Sequence, residues 1–230
     1  VMAAPSDDAA LLLDLVAASL YETKEDGITY TTGELYEPPV DAKHRVLGDD
    51  FDMEKGSPAY PMMAFDSTWG EVRKAVASYA LTCAGGAVDA TTLTLPGSAL
   101  SSAEAETYAF SWAIARGTYA TNALIAYGID VPDKICALGD NSATLDMAAR
   151  DATVTNARHF PHRVAFNQDA CDPESGMFSP IKVHTDKNPV DYMGKLVSRN
   201  KIASSLKWVM GTHRQPAMDK LTSAPSSRPT

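Results

Sequence analysis

Three short β-patterned segments run directly into one long alanine-rich helix between residues 60 and 128, and this order leaves few architectures open. "AYPMMAFD" reads as a strand ending in Asp66, and "AVASYALTCAGGAVDATTLTL" reads as two strands joined at Gly85-Gly86. Ser101 then opens a helix that runs to about Gly128. Further on, "DKICALGD" reads as a short strand ending in Asp140, and the segment from Asn141 to about Arg150 as a helix. "FSPIKVH" reads as a fifth strand, and "NPVDYMGKLVSRNKIASSLKWVM" as one helix with Pro189 at its first position. Consecutive strands pair antiparallel, whereas strands separated by helices pair parallel. The expected class is therefore α/β, a mixed five-stranded sheet with helices on both faces.

The 230 residues, 45% of them hydrophobic, suffice for one core of ordinary size plus an appended arm. We expect the arm at residues 1–58: a helix over "DDAALLLDLVAASLYETKEDGITY", a turn at Asp26-Gly27, a short strand, and an acidic Gly/Pro-rich loop. Residues 59–211 form the expected main domain, and 212–230, with "SAPSSRPT", a disordered tail. The longest apolar run near the start is broken by Asp14 and is shorter than the roughly 20 residues of a membrane span, so no membrane association is expected. Val1 ahead of Met2, with no basic flank or cleavage site, points to a fragment of a longer chain and away from a secretory leader. Cys83, Cys136 and Cys171 are an odd number, far apart, with no C-x-x-C pair, which suits buried free thiols in a reducing compartment. Charge is uneven: −9 over residues 1–60, −6 over 61–180 and +6 over 181–230. A basic end on an acidic body serves as a docking surface for a polyanion, or simply as solvated lysines near a terminus.

Two glutamates stand one residue apart at the start of the long helix, and their spacing assigns them different tasks. Ser101-Ser102-Ala103-Glu104 is an S-x-x-E capping box in which Ser101 accepts from the Glu104 amide and Glu104 reaches back to the Ser101 amide. Glu106 lies about 200° around the helix, on the side of Ala109, Phe110, Ala113 and Gly117 that should press on the sheet. A carboxylate aimed at the core from the first turn is costly unless a cation or donors meet it, so Glu106 is the chemical candidate of the pair. Asp66 and Asp140 sit at expected strand ends, where open sheets with helical crossovers gather functional groups. Asp140 serves equally well as the cap of the following helix. Asp191, third after Asn188, equally completes an N-terminal cap.

Taken together, the four acids carry a resemblance. An Asp at the end of the first strand, a Glu in the first turn after three strands, an Asp at the end of the fourth strand and an Asp in the last helix are the layout of the ribonuclease H fold. The words "SSAEAETYA", "GDNSAT" and "FDSTWGEVRKAVASY" resemble the ribonuclease H domain of copia-type LTR retrotransposon polyproteins. "YETKEDGITY" resembles the piece that joins the reverse transcriptase of these polyproteins to their ribonuclease H, and Arg158-His159 resembles the family's basic pair before a further helix. In that family the second glutamate of the E-A-E word is the metal ligand, in agreement with the reading of Glu106. The chain departs from the family in "DATTLTLPG", which lacks the usual basic residues, and in Asp66-Ser67-Thr68, which keeps one acid.

The resemblance implies a metal-dependent endonuclease that hydrolyses the RNA strand of RNA–DNA hybrids during reverse transcription, inside the cell: in the cytoplasm, in virus-like particles or in the nucleus. Asp66, Glu106, Asp140 and Asp191 would hold two Mg2+ or Mn2+ ions, the cations that hard oxygen ligands select. His184, seven residues before Asp191, is either a proton shuttle or a plain strand-end histidine. Arg73, Lys74, Arg158, His159 and Lys187 are the expected nucleic-acid contacts, and a reverse transcriptase domain of the same polyprotein is the expected partner. The alternative function is a non-catalytic ribonuclease H-like binding or connection module. Retention of all four acids speaks against it.

Overall fold

The computed structural model describes residues 28, 60–69, 74–149 and 159–210. The expected arm (Ile28 apart), the tail, Arg73 and Arg158 lie outside the described residues. Five strands form one sheet: β1 (Met62–Thr68), β2 (Val76–Cys83), β3 (Gly86–Thr94), β4 (Ile135–Gly139) and β5 (Phe178–Lys182), in the order β3-β2-β1-β4-β5. β1, β2 and β3 are antiparallel neighbours, whereas β4 runs parallel to both β1 and β5. The helices are α1 (Ser102–Ala126), α2 (Ser142–Ala148), α3 (Pro161–Ala170), α4 (Asp191–Gly194) and α5 (Arg199–Met210). The expected mixed five-stranded sheet is thus the observed one.

Every residue of β1 is buried, because helices cover both faces of the sheet and successive side chains point to opposite sides. Met62, Ala64, Ala80, Leu138 and Ile181 pack with Val190, Trp208 and Val209 on one face. Met63, Phe65, Tyr79, Leu81 and Ala137 pack with Phe110, Ala113 and Ile114 of α1 on the other. The small side of α1 lets it approach closely: a Cβ on Gly117 would lie 3.0 Å from Met63 Sδ and 3.2 Å from Phe178 Cζ. All three cysteines are buried and none is in a disulfide. No described helix is long and apolar enough to cross a membrane.

Three sequence expectations are corrected. β1 does not end at Asp66 but continues to Thr68, because β2 still offers partners through the Thr68–Val76 pair. The hairpin turn is Ala84-Gly85, one residue earlier than expected, with both residues at positive φ (52° and 83°), as tight two-residue hairpins favour. The last helix is not continuous. It stops at Gly194, Lys195 is extended (φ −134°, ψ 154°), and a new helix starts at Arg199. The cause is tertiary: the Gly194 carbonyl accepts from Thr68 Oγ1 at 2.8 Å, and a Cβ on Gly194 would lie 2.8 Å from Ser78 Oγ.

Gly139, the last residue of β4, sits against Phe65, whose ring stacks on Phe110 with centroids 4.3 Å apart. An added Cβ would lie 2.5 Å from Phe65 Cζ. Gly139→Ala is expected to destabilise the protein by about 1–3 kcal/mol through overpacking, seen as a lower midpoint at unchanged slope in urea unfolding. An unchanged midpoint would contradict this packing.

Candidate metal centre

The site begins where the sheet opens. β1 and β4 pair from Met62–Cys136 to Ala64–Leu138 and no further, although β1 continues. Continuing that register brings Asp66 level with Asp140, at the carboxyl ends of two adjacent parallel strands. The edge of β1 released there keeps backbone groups that need partners. Asn188 Nδ2 donates to the Phe65 carbonyl at 3.0 Å, and the Ser67 amide donates to Glu106 Oε1 at 3.1 Å. The second contact fixes the Glu106 carboxylate at the strand end.

Asp66, Glu106 and Asp140 each offer an oxygen, and these oxygens lie within 4.8 Å of one another. Asp66 and Glu106 are buried; Asp140 is partly exposed and faces a cleft also lined by Ser67, Thr68, Trp69, Asn141 and Lys195. Trp69 Nε1 donates to the Ala99 carbonyl at 3.0 Å and so ties the rim of that cleft to the segment before α1. The expected division between the glutamates is visible, with one change. Ser101 Oγ accepts from the Glu104 amide at 3.1 Å, but Glu104 Oε2 accepts from the Leu100 amide at 2.7 Å, not from Ser101. With Ser101 extended (φ −153°, ψ 162°), the amide one residue earlier is the one within reach. The cap of α2 is Asn141, whose Oδ1 accepts from the Thr144 amide at 3.1 Å, so Asp140 is not used for capping.

Burial, reinforced by Asp66 and Asp140, pushes Glu106 well above the usual carboxylate range, and only the Ser67 and Lys195 contacts oppose it. Burial likewise raises Asp66 to about 7, partly offset by Lys195. Glu106 Oε2 is buried and has no hydrogen-bond partner. Three converging carboxylates with one buried oxygen unmet fit a hard divalent cation.

Asp191 stands apart from this trio. Lys195 Nζ lies 2.8 Å from Asp191 Oδ1 and 2.9 Å from Asp66 Oδ2, bridging the two acids. Lys201 Nζ pairs with Asp191 Oδ2 and donates to the Thr185 carbonyl. Burial alone would raise Asp191, but the hydrogen bonds from the two lysines outweigh it and leave its pKa below the ordinary value. The cap expected of Asp191 is not made: Val190 precedes α4 and no side chain caps it, while Asn188 Oδ1 accepts from the Val190 amide at 3.3 Å in the turn before the helix.

His184 is not among the converging ligand groups. Its Nδ1 accepts from the Asp186 amide at 3.2 Å, capping a 3-10 turn at Thr185–Lys187, and its side chain is 71% exposed. Lys74 is exposed and donates to the Pro96 carbonyl at 3.3 Å, His159 is exposed just before α3, and Lys187 is half-buried in the turn after His184. Sequence reasoning missed Lys195 and Lys201. An Asp followed by a Lys at i,i+4 is a legible helical pair, so Asp191–Lys195 had a signal; the Lys195–Asp66 contact, 129 residues apart, had none.

No family model matches the chain, and no curated protein matches it. Among solved structures it is similar to RNase H1 from the halophilic archaeon Halobacterium salinarum NRC-1, at 18% identity and a TM-score of 0.38, over 54% of this chain and 83% of that one. It is also similar to LC11-RNase H1, isolated from compost by a metagenomic approach, at 11% identity and a TM-score of 0.44, over 56% of this chain and 88% of that one.

Two expectations follow from the site. Glu104→Ala should cost about 0.5–2 kcal/mol as a lost cap without weakening Mn2+ binding, whereas Glu106→Gln should abolish Mn2+ binding and leave the melting temperature of the metal-free protein unchanged or higher. Calorimetric titration and thermal melts separate them; exchanged phenotypes would reverse the assignment. The second concerns pH. Asp66, raised from 3.8 to about 7 in the fold, favours folding most below its unfolded value and loses that contribution as pH rises through about 7. In chelator, wild type should therefore lose melting temperature relative to Asp66→Asn across this window, and saturating Mg2+ should remove the loss by binding the ionised form. Asp191, lowered from 3.8, has the opposite sign and acts only below that pH. A wild-type curve parallel to that of the variant would contradict the raised value.

Proposed function

We propose that the chain is a metal-dependent ribonuclease H, hydrolysing the RNA strand of RNA–DNA hybrids. The observation that carries this reading is the convergence of Asp66, Glu106 and Asp140 at the opening between β1 and β4, with a buried Glu106 oxygen unmet. Mg2+ or Mn2+ suits the all-oxygen donor set. Bound there, the ion supplies a water of lowered pKa and charge stabilisation on a phosphodiester.

The chain's own groups supply the rest. Glu106 is oriented by the Ser67 amide, so its free oxygen is presented to the ion without a search among rotamers. Asp140, partly exposed on the cleft, is the ligand that substrate and solvent can approach. Lys195, on the same cleft, adds positive charge where a phosphate would enter. In this reading Arg73, Lys74, Arg158, His159 and Lys187 contact the backbone of the hybrid, and recognition rests on 2′-hydroxyls and shape, not on sequence. The resemblance of "SSAEAETYA", "GDNSAT" and "YETKEDGITY" to copia-type polyproteins supports a retrotransposon setting, with residues 1–58 joining the domain to a reverse transcriptase that supplies part of the grip.

On a labelled RNA–DNA hybrid with Mg2+ or Mn2+, the purified chain should cut the RNA strand and spare the DNA strand, at a rate that falls steeply with salt. Asp140→Asn should lower cleavage more than about 100-fold, roughly 3 kcal/mol of transition-state stabilisation. Absence of cleavage with either ion, alone or fused to a reverse transcriptase domain, would favour the non-catalytic module.

A further inference from the structure

Lys195 occupies ground that a second metal ion would need. Its Nζ lies 2.9 Å and 3.1 Å from the two oxygens of Asp66 and 2.8 Å from Asp191 Oδ1, so it sits between the acids that a second ion would bridge. We propose that Lys195 is the resident cation of this site, filling the second-ion position between Asp66 and Asp191, so that the chain binds one divalent ion, through Asp66, Glu106 and Asp140. The inference rests on the metal-dependent reading above.

Three observations carry it. The first is backbone anchoring. Lys195 follows Gly194, whose carbonyl accepts from Thr68 Oγ1 at 2.8 Å and whose Cα is pressed against Ser78 and Thr68 so closely that no Cβ fits. The break between α4 and α5 leaves Lys195 extended beside β1. Its side chain is only 24% exposed, so it is not a surface lysine that happens to reach inward. The second is the commitment of Asp191. Its Oδ1 meets Lys195 and its Oδ2 meets Lys201, whose Nζ also holds the Thr185 carbonyl at 2.7 Å. Both oxygens are thus held by ammonium groups, and a metal would have to displace one of them. The third is charge. Four carboxylates against two ammoniums leave two negative charges, which one divalent ion balances, whereas a second would leave the buried site positive.

A lysine at this position is a permanent positive charge, so the occupancy of half the cationic centre would not depend on the concentration of free Mg2+. Asp191 then acts as a positioning residue that holds Lys195, and not as a metal ligand.

Counting bound ions tests this directly. Mn2+ titration of the full chain, followed by calorimetry and by electron paramagnetic resonance, should give one ion for wild type, with a mononuclear spectrum. Lys195→Gln should admit a second ion, raising the stoichiometry to two and producing an exchange-coupled pair, whereas Lys195→Arg and Asp191→Asn should remain at one. Two ions in wild type would overturn the proposal and leave the ribonuclease reading standing. One ion in a folded Lys195→Gln would also overturn it, since the lysine would not be what excludes the second. No ion in wild type would instead defeat the metal-dependent reading itself. Should Lys195→Gln fail to fold, wild type and Asp191→Asn still decide: one ion in each supports the proposal, and two falling to one overturns it.

Discussion

Carboxylates buried at the end of a central strand are tolerable only with compensating positive charge, and much of this structure is arranged around that need. Asp66 is wholly buried on β1, and Glu106 and Asp191 are nearly so. Isolated ionised carboxylates in such surroundings would take up protons instead, as the raised pKa values of Asp66 and Glu106 show. The fold answers with Lys195 and Lys201 from the chain's last described segment. Those two lysines meet Asp191 and both oxygens of Asp66, and the trio keeps a Glu106 oxygen with no protein donor to meet it. A cation bound there would complete what the protein leaves unfinished.

The location of this cluster is a consequence of topology. β1 is the hinge of the sheet: antiparallel to β2 on one side and parallel to β4 on the other. Because β4 ends at Gly139 while β1 runs on to Thr68, the two edges part and a crevice opens at their carboxyl ends. Ligand sites of open α/β sheets gather at such places. Here the parting also frees the Ser67 amide and the Phe65 carbonyl, and the partners that satisfy them, Glu106 and Asn188, bring α1 and the segment before α4 to the crevice. Hydrogen-bond satisfaction and site assembly are therefore the same event.

The break between α4 and α5 shows how tertiary contact overrides local preference. From Pro189 to Met210 the residues read as one helix, and Gly194 alone costs such a helix only about 1 kcal/mol. In the fold, Gly194 docks on Ser78 and Thr68 and its carbonyl is taken by Thr68 Oγ1. A continued helix would require that carbonyl for itself, so the chain turns extended at Lys195 and delivers its ammonium to the acids. Glycine's lack of a side chain, and not its flexibility, is what the docking uses.

The sequence alone determined what depends on neighbours in the chain. The order of the five strands and of α1 and α2 followed from periodicity and turn residues, because hydrophobic spacing sets which face a segment can bury, whereas α3 at Pro161–Ala170 was not read from periodicity. The division between Glu104 and Glu106 followed from helical angle, since two residues along an α-helix point to opposite sides whatever packs around it. Asp66, Glu106, Asp140 and Asp191 were legible as candidates from their places near the ends of expected elements, although β1 runs two residues past Asp66. The tertiary structure alone decided which acids meet and which are taken by lysines, and that His184 caps a 3-10 turn. Those outcomes turn on contacts such as Lys195 with Asp66 and Gly194 with Ser78, between residues more than a hundred positions apart. No local pattern encodes such a distance, because it is set by how the sheet closes and where its strands part.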